Sequence, residues 1–306
     1  MKILSVSQNK GGTGKTSTSR LVAEYAASNG LRVLCIDLDP QCSLSQRFIA
    51  MDRDVNAADG ILPPRHDEFP DAENPAWTSG ISSIADVFRG ELVYPYETPI
   101  ENLSLIPGHG EMLREVEMIT TDKVAEGVHE RLREFIRAPE VAEQYDLVVI
   151  DTSPSKGPLT VSAIRSATHI VIPTIMEPQG VEGLQGMLTM WMKENRLRQL
   201  DDQIQLVGIL PNKFRQVAVQ QGLLDSLKQD KAIGPLVMPH MLGLRTAFAE
   251  ADHENVRPQS VFSLPASNIA RVEAERVARY ILSKMGLMTA GEGSEVTDNH
   301  AEVAVS

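Results

Sequence analysis

A chain of 306 residues with 42% apolar side chains can bury a sizeable core, as one large α/β domain or two smaller ones, and this composition excludes global disorder. No apolar run approaches the roughly 20 residues of a membrane span, and the two cysteines, Cys35 and Cys42, have no metal-ligand spacing and fit a reducing compartment. The net charge of −12 argues against nucleic acid as a partner of the whole surface, yet residues 184–290 hold 13 Lys/Arg against 10 Asp/Glu while the remainder holds 16 against 31.

The chain starts on an apolar run, Ile3-Leu4-Ser5-Val6, which reads as a buried strand with no signal peptide before it. Gln8-Asn9-Lys10-Gly11-Gly12-Thr13-Gly14-Lys15-Thr16-Ser17 follows, and then a helical pattern with Leu21, Val22 and Tyr25 on one face. Strand, Gly-rich loop and helix are the context of a phosphate-binding loop. Backbone N–H groups from Lys10 to Ser17 would converge on phosphate oxygens, and the helix N-terminus adds partial positive charge. Lys15 would reach the β- and γ-phosphates of ATP, and the Thr16 hydroxyl would ligate Mg²⁺. Asn9 stands where the common pattern has its first Gly, and Lys10 adds a second lysine.

The first helix ends at Asn29-Gly30. The apolar run Val33-Leu34-Cys35-Ile36 reads as a strand buried on both faces, and it delivers Asp37 and Asp39 to the edge where open α/β sheets bind ligands. Residues 51–80 contain Pro63, Pro64, Pro70 and Pro75 and no helical or alternating period; they read as a long surface insertion anchored by Trp77. A short helix is expected at 81–88, a strand at 103–107, and one or two charged helices over 111–137. Leu147-Val148-Val149-Ile150 ends in Asp151, placed to hold Mg²⁺ opposite Thr16.

A buried strand is expected at 169–173, with His169 structural, and a helix running through Arg196, with Met187, Met190, Trp191 and Met192 as core or dimer contacts. Further strands are expected at 205–210 and 234–239, and a last helix over about 267–286. Residues 288–306 carry four acids and no base, and read as a disordered tail after a single domain spanning 1–287. The alternation predicts a doubly wound, mostly parallel sheet with helices on both faces, and the nucleotide at the strand carboxyl ends.

Lys10-Gly11-Gly12-Thr13-Gly14-Lys15-Thr16 resembles the deviant Walker A motif of the ParA/MinD family of P-loop ATPases, in its ParA-type, Soj-like form without an N-terminal helix-turn-helix domain. The resemblance implies that Lys10 touches the nucleotide of a second subunit. Asp37-Leu38-Asp39-Pro40-Gln41 resembles the family's first switch, which implies that Asp39 positions the attacking water beside the metal. Thr152-Ser153-Pro154-Ser155 resembles the second switch, which usually reads Thr-Pro-Pro-Ser; Glu182-Gly183-Leu184 and Arg245 through Ala251 resemble later family segments. Asn212 matches the position of an adenine-reading amide, a group that can both donate and accept.

The function implied is an ATP-dependent homodimerising partition ATPase. It would be slow and stimulated by a ParB-like or other cargo-bound protein, cytoplasmic, nucleoid-associated, and without a stable membrane anchor. Non-specific DNA binding needs basic side chains at phosphates; Arg215, Lys228, Lys231, Arg245, Arg271, Arg276 and Arg279 are the candidates. Two alternatives stay open. A MinD-like membrane ATPase needs a terminal basic amphipathic helix, against which the acidic tail speaks. A metabolic enzyme on the same scaffold, of the nitrogenase iron-protein type, needs bridging cysteines that Cys35 and Cys42 are not placed to supply.

Overall fold

The computed structural model describes residues 1–67, 80–119, 122–251 and 260–289. Trp77 and the acidic tail beyond residue 289 lie outside them. The strands are β1 (Lys2–Val6), β2 (Val33–Leu38), β3 (Asp52–Arg53), β4 (Ile61–Leu62), β5 (Tyr96–Glu97), β6 (Leu103–Ile106), β7 (Leu147–Thr152), β8 (His169–Ile175) and β9 (Gln205–Asn212). The helices are α1 (Lys15–Ser28), α2 (Ser45–Phe48), α3 (Ile84–Arg89), α4 (Gly110–Glu117), α5 (Asp122–Arg137), α6 (Pro139–Ala142), α7 (Pro158–Ser166), α8 (Pro178–Arg196), α9 (Ala218–Gln229), α10 (Thr246–Ala251) and α11 (Ile269–Lys284).

Seven strands form one sheet in the order β5-β6-β2-β7-β1-β8-β9, parallel except for the edge strand β5. Side chains alternate across it, as the two-residue strand period requires. Leu4, Val6, Val33, Cys35, Leu147 and Val149 face a cluster with α1 and α11. Ile3, Leu34, Ile36, Val148 and Ile150 face the opposite cluster with α3, α4, α5 and α7. Ile170, Ile172 and Ile209 extend that second layer against Met187 of α8 and Leu224 of α9. Both faces are therefore covered, which is why these strands read as near-continuous apolar runs. β1 lies between β7 and β8, so the loop leaving it emerges beside the carboxyl end of β7. No helix among the described residues is long and apolar enough to cross a membrane.

Two sequence expectations change. Residues 234–239 do not form a sheet strand: 234–236 are a 3₁₀ turn, and Val237 makes one isolated bridge to Ile209. Pro235 and Pro239 have no N–H to donate, and a side chain at Gly234 would strike the Lys228 carbonyl. The described part of the 51–80 insertion is folded. β3 and β4 pair as a hairpin, and buried His66 packs edge-on against Tyr96 with ring centroids 4.4 Å apart. The Tyr96 hydroxyl donates to the Pro64 carbonyl at 2.8 Å and accepts from the Ser82 N–H at 3.1 Å, closing the two ends of the insertion onto the sheet edge. α2, α6, α7, α9, α10 and β5 had no separate expectation.

α3 begins with a reciprocal cap. The Ser83 side chain accepts from the Ala85 N–H at 3.1 Å, and the Asp86 carboxylate accepts from the Ser83 N–H at 2.9 Å. Ser83→Ala should cost about 1 kcal/mol, read as a lower denaturant midpoint at unchanged slope; an unchanged midpoint would remove the cap from the stability of the insertion's exit.

Candidate functional site

The Gly-rich loop turns between β1 and α1 through two left-handed glycines, Gly12 at φ 75° and Gly14 at φ 85°. A side chain at Gly14 would also stand 2.2 Å from the Asn212 amide nitrogen. That amide donates to the Thr13 carbonyl at 2.8 Å, and its oxygen accepts from the Lys213 N–H at 2.8 Å. Asn212 is buried and holds the loop's backbone. The end of β9 is thus tied to the loop after β1, across β8.

Lys15 and Thr16 open α1. Lys15 is buried, and among the described residues its ammonium makes one long hydrogen bond, 3.5 Å to the Lys10 carbonyl. Burial lowers its pKa, against which the charges of Asp151 and Asp39 act. A buried ammonium with so little hydrogen bonding suits an anion in front of the loop. The Thr16 hydroxyl donates to Asp151 Oδ2 at 2.7 Å, and the Ser19 hydroxyl donates to Oδ1 at 2.9 Å. Ser19 had no sequence motif; it lies three residues after Thr16, on the same helix face. Asp151 is fully buried, which raises its pKa to about 6 despite the Thr16 hydrogen bond and the Lys15 charge.

Asp37 and Asp39 both reach the same carboxyl edge but differ in surroundings. Asp37 is fully buried, and its Oδ2 accepts from the Ser45 N–H at 2.8 Å and the Ser45 hydroxyl at 2.7 Å. Burial, then the charges of Asp151 and Asp39, push its pKa to about 8. Asp39 is less enclosed, and its Oδ1 accepts from the Gln41 N–H at 3.0 Å. Among the described residues no three His, Cys, Asp or Glu side chains form a metal-binding cage. The oxygens of Thr16, Asp39 and Asp151 are hard donors of the kind Mg²⁺ takes alongside phosphate and water.

Lys10 is 41% exposed and lies 3.6 Å from Glu182 of its own chain. Its stem crosses α8 at Gly183, where a Cβ would stand 2.6 Å from Lys10 Cγ and 2.9 Å from Asn9 Oδ1. Gly186, one turn on, gives the same clearance to the Asn9 amide. The Glu182-Gly183-Leu184 segment thus seats the residues before the loop.

The basic candidates do not share one condition. Arg215, Lys228, Lys231, Arg245, Arg276 and Arg279 are exposed, and Arg271 is half-buried. Arg245 is bound to Glu273 at 2.7 Å, Arg271 to Glu275 at 2.7 Å and to the Leu264 carbonyl, and Arg279 donates to the Tyr25 hydroxyl at 3.1 Å. Arg245 and α11 therefore meet through Glu273. A separate concavity of about 720 Å³, bordered by Arg32, Glu101 and Tyr145, lies at the opposite, amino edge of the sheet, away from these groups.

Residues 1–205 match a family model described as an AAA domain. The chain is 34% identical over 210 residues to a putative replication protein A of Rhizobium rhizogenes, covering 66% of this chain and 46% of that protein. It is 30% identical over 214 residues to the chromosome-partitioning ATPase Soj of Thermus thermophilus, covering 69% of each. A solved ATP complex of McdA from Cyanothece shares the fold with a TM-score of 0.70 at 16% identity, over 94% of this chain and 97% of that one.

Asn212→Ala should leave the Thr13 carbonyl unpaired at a cost of about 1–3 kcal/mol. The check is the urea midpoint together with amide exchange over residues 12–16. Unchanged exchange there would free Asn212 from the role of loop anchor.

Proposed function

This chain belongs to the AAA-domain family of ParA- and Soj-type partition ATPases, and on that premise we propose that it is an ATP-driven partition or positioning ATPase that dimerises on ATP and binds DNA without sequence preference. The observation that carries the reading is the pair of hydroxyl donors, Thr16 and Ser19, on the buried Asp151 carboxylate beside Lys15. It brings the first turns of α1 and a buried carboxylate at the end of β7 to one point, which supports a site for phosphate and metal there.

MgATP fits this loop. Thr16, Asp151 and Asp39 supply the hard oxygens that would hold Mg²⁺, which would neutralise charge between the β- and γ-phosphates. The Lys15 ammonium would bind the phosphate oxygens, and the backbone N–H groups of Gly11, Gly12, Thr13, Gly14, Lys15, Thr16 and Ser17 would line the rest of the chain of phosphates. Asp39 would orient the attacking water in line with the leaving group. Lys10 would leave Glu182 and meet the nucleotide of a second subunit, so that charge in the transition state is shared across a dimer. Since Asn212 holds Thr13 with one N–H, adenine recognition would use the second N–H or the oxygen of the same amide.

Turnover would be slow and raised by a cargo-bound partner of ParB type, making the cycle a switch: ATP joins subunits and hydrolysis parts them. DNA would be held by phosphate contacts from Arg215, Lys228, Lys231, Arg245, Arg271, Arg276 and Arg279. Arg245 would have to exchange Glu273 for a phosphate, which the exposed geometry of the pair permits. The chain would act in the cytoplasm, on the nucleoid.

The test is binding to random-sequence duplex DNA with ATP, with ADP and without nucleotide, over a salt series. ATP-dependent binding whose affinity falls with salt is expected. Absence of binding in every state, with hydrolysis intact, would overturn the DNA reading. Lys15→Ala should abolish ATP binding, and Asp39→Ala should accumulate an ATP-bound dimer by light scattering. Turnover unchanged in Asp39→Ala would remove that carboxylate from the reaction.

A further inference from the structure

α4 touches both loops that carry the proposed chemistry. On one side, Asp59 of the β3–β4 hairpin takes both arms of a fork from Arg114: Nε to Oδ2 at 2.9 Å and Nη2 to Oδ1 at 3.1 Å. Such planar, bidentate pairing fixes direction as well as distance. The same Oδ1 lies 3.5 Å from the Gln41 amide nitrogen, and the Gln41 N–H donates to Asp39. A continuous chain therefore runs from α4 through the hairpin to the loop holding Asp39.

Backbone packing reports the same junction independently. A Cβ on Gly110, the first residue of α4, would stand 2.3 Å from the Asp59 carbonyl and 2.9 Å from the Pro40 carbonyl. Helix, hairpin and switch loop meet there with no room for a side chain. Just before, the Gly108 N–H donates to the Ser45 hydroxyl at 3.1 Å, and that hydroxyl donates to Asp37.

One turn beyond Arg114, Glu117 faces the second loop. A Cβ on Gly157 would stand 2.3 Å from Glu117 Oε1, and the Leu159 N–H at the start of α7 points to Oε2 at 3.4 Å. The carboxylate thus sits on the positive end of α7. Arg114 and Glu117 are three residues apart, on one face of α4.

We propose that Arg114 and Glu117 are positioning residues for phosphoryl transfer: the Gln41–Asp59–Arg114 chain holds the loop bearing Asp39, Glu117 holds the loop after Asp151, and α4 couples the two. The hairpin is then a clamp on the first switch. This rests on the ATPase reading above. The effect is indirect, since neither residue needs to touch nucleotide. A water-orienting carboxylate displaced by an ångström loses rate without losing substrate affinity.

The test compares the full chain with Arg114→Gln, Arg114→Lys, Asp59→Asn and Glu117→Gln, by steady-state ATP hydrolysis and by hydrogen–deuterium exchange without nucleotide. Arg114→Gln and Asp59→Asn should lower kcat about tenfold while KM for ATP stays within about twofold, with faster exchange over residues 39–46. Arg114→Lys should recover part of kcat, and Glu117→Gln should speed exchange over 153–160. Unchanged kcat in both Arg114→Gln and Asp59→Asn would overturn the proposal, as would unchanged exchange over 39–46. Should Arg114→Gln fail to fold by circular dichroism, Asp59→Asn breaks the same chain from outside α4 and decides alone. If the unaltered chain hydrolyses no ATP, the ATPase reading falls; the exchange arm still decides whether α4 tethers the loops.

Discussion

Buried carboxylates at the carboxyl edge of a parallel sheet constrain everything around them. Asp37 and Asp151 are both fully enclosed, and a carboxylate out of water is tolerable only where donors surround it. The chain meets that demand with hydroxyls: Ser45 for Asp37, and Thr16 with Ser19 for Asp151. Each hydroxyl belongs to a helix packed on the edge, so satisfying these buried carboxyl groups also docks α1 and α2. Lys15 gains its place from the same balance. Burial lowers its pKa, and the charges of Asp151 and Asp39 act against that shift, beside a single long hydrogen bond among the described residues.

Close backbone approach is the second constraint. Gly14 clears Asn212, Gly183 and Gly186 clear Lys10 and Asn9, Gly110 clears Asp59 and Pro40, and Gly157 clears Glu117. In each case a methyl group would overlap the contact between a loop and the element that supports it. The loops are therefore held by contacts from three different elements: the end of β9, the glycine face of α8, and α4. The backbone of the Gly-rich loop is thus packed against its supports, while Lys10 before it is more exposed and paired with Glu182.

The position of the Gly-rich loop after β1, and of Asp39 and Asp151 at the carboxyl ends of β2 and β7, was legible in the sequence because each stands at a fixed offset from an apolar strand, and strand-end position is a local property. The parallel sheet was legible for the same reason. The strand expected at 234–239 failed because its apolar residues are interrupted by Pro235 and Pro239, and local hydrophobicity does not count ladder donors. The insertion looked unstructured because its order comes from elsewhere: Tyr96 closes it, and Arg114 pairs with Asp59 across 55 residues of sequence.

What the sequence alone determined is the fold class and the place of the Gly-rich loop between β1 and α1, since both follow from short-range pattern: apolar runs of strand length, glycines in a turn, and acids at strand ends. What only the tertiary structure decided is which polar groups are spent on holding the site. Asn212 is tied to Thr13, Arg245 to Glu273, Lys10 to Glu182, and Glu117 to the loop before α7. These pairings join residues brought together by sheet order and helix packing. No local pattern encodes them, because a side chain's partner in a buried or crowded site is chosen by the geometry of the whole fold.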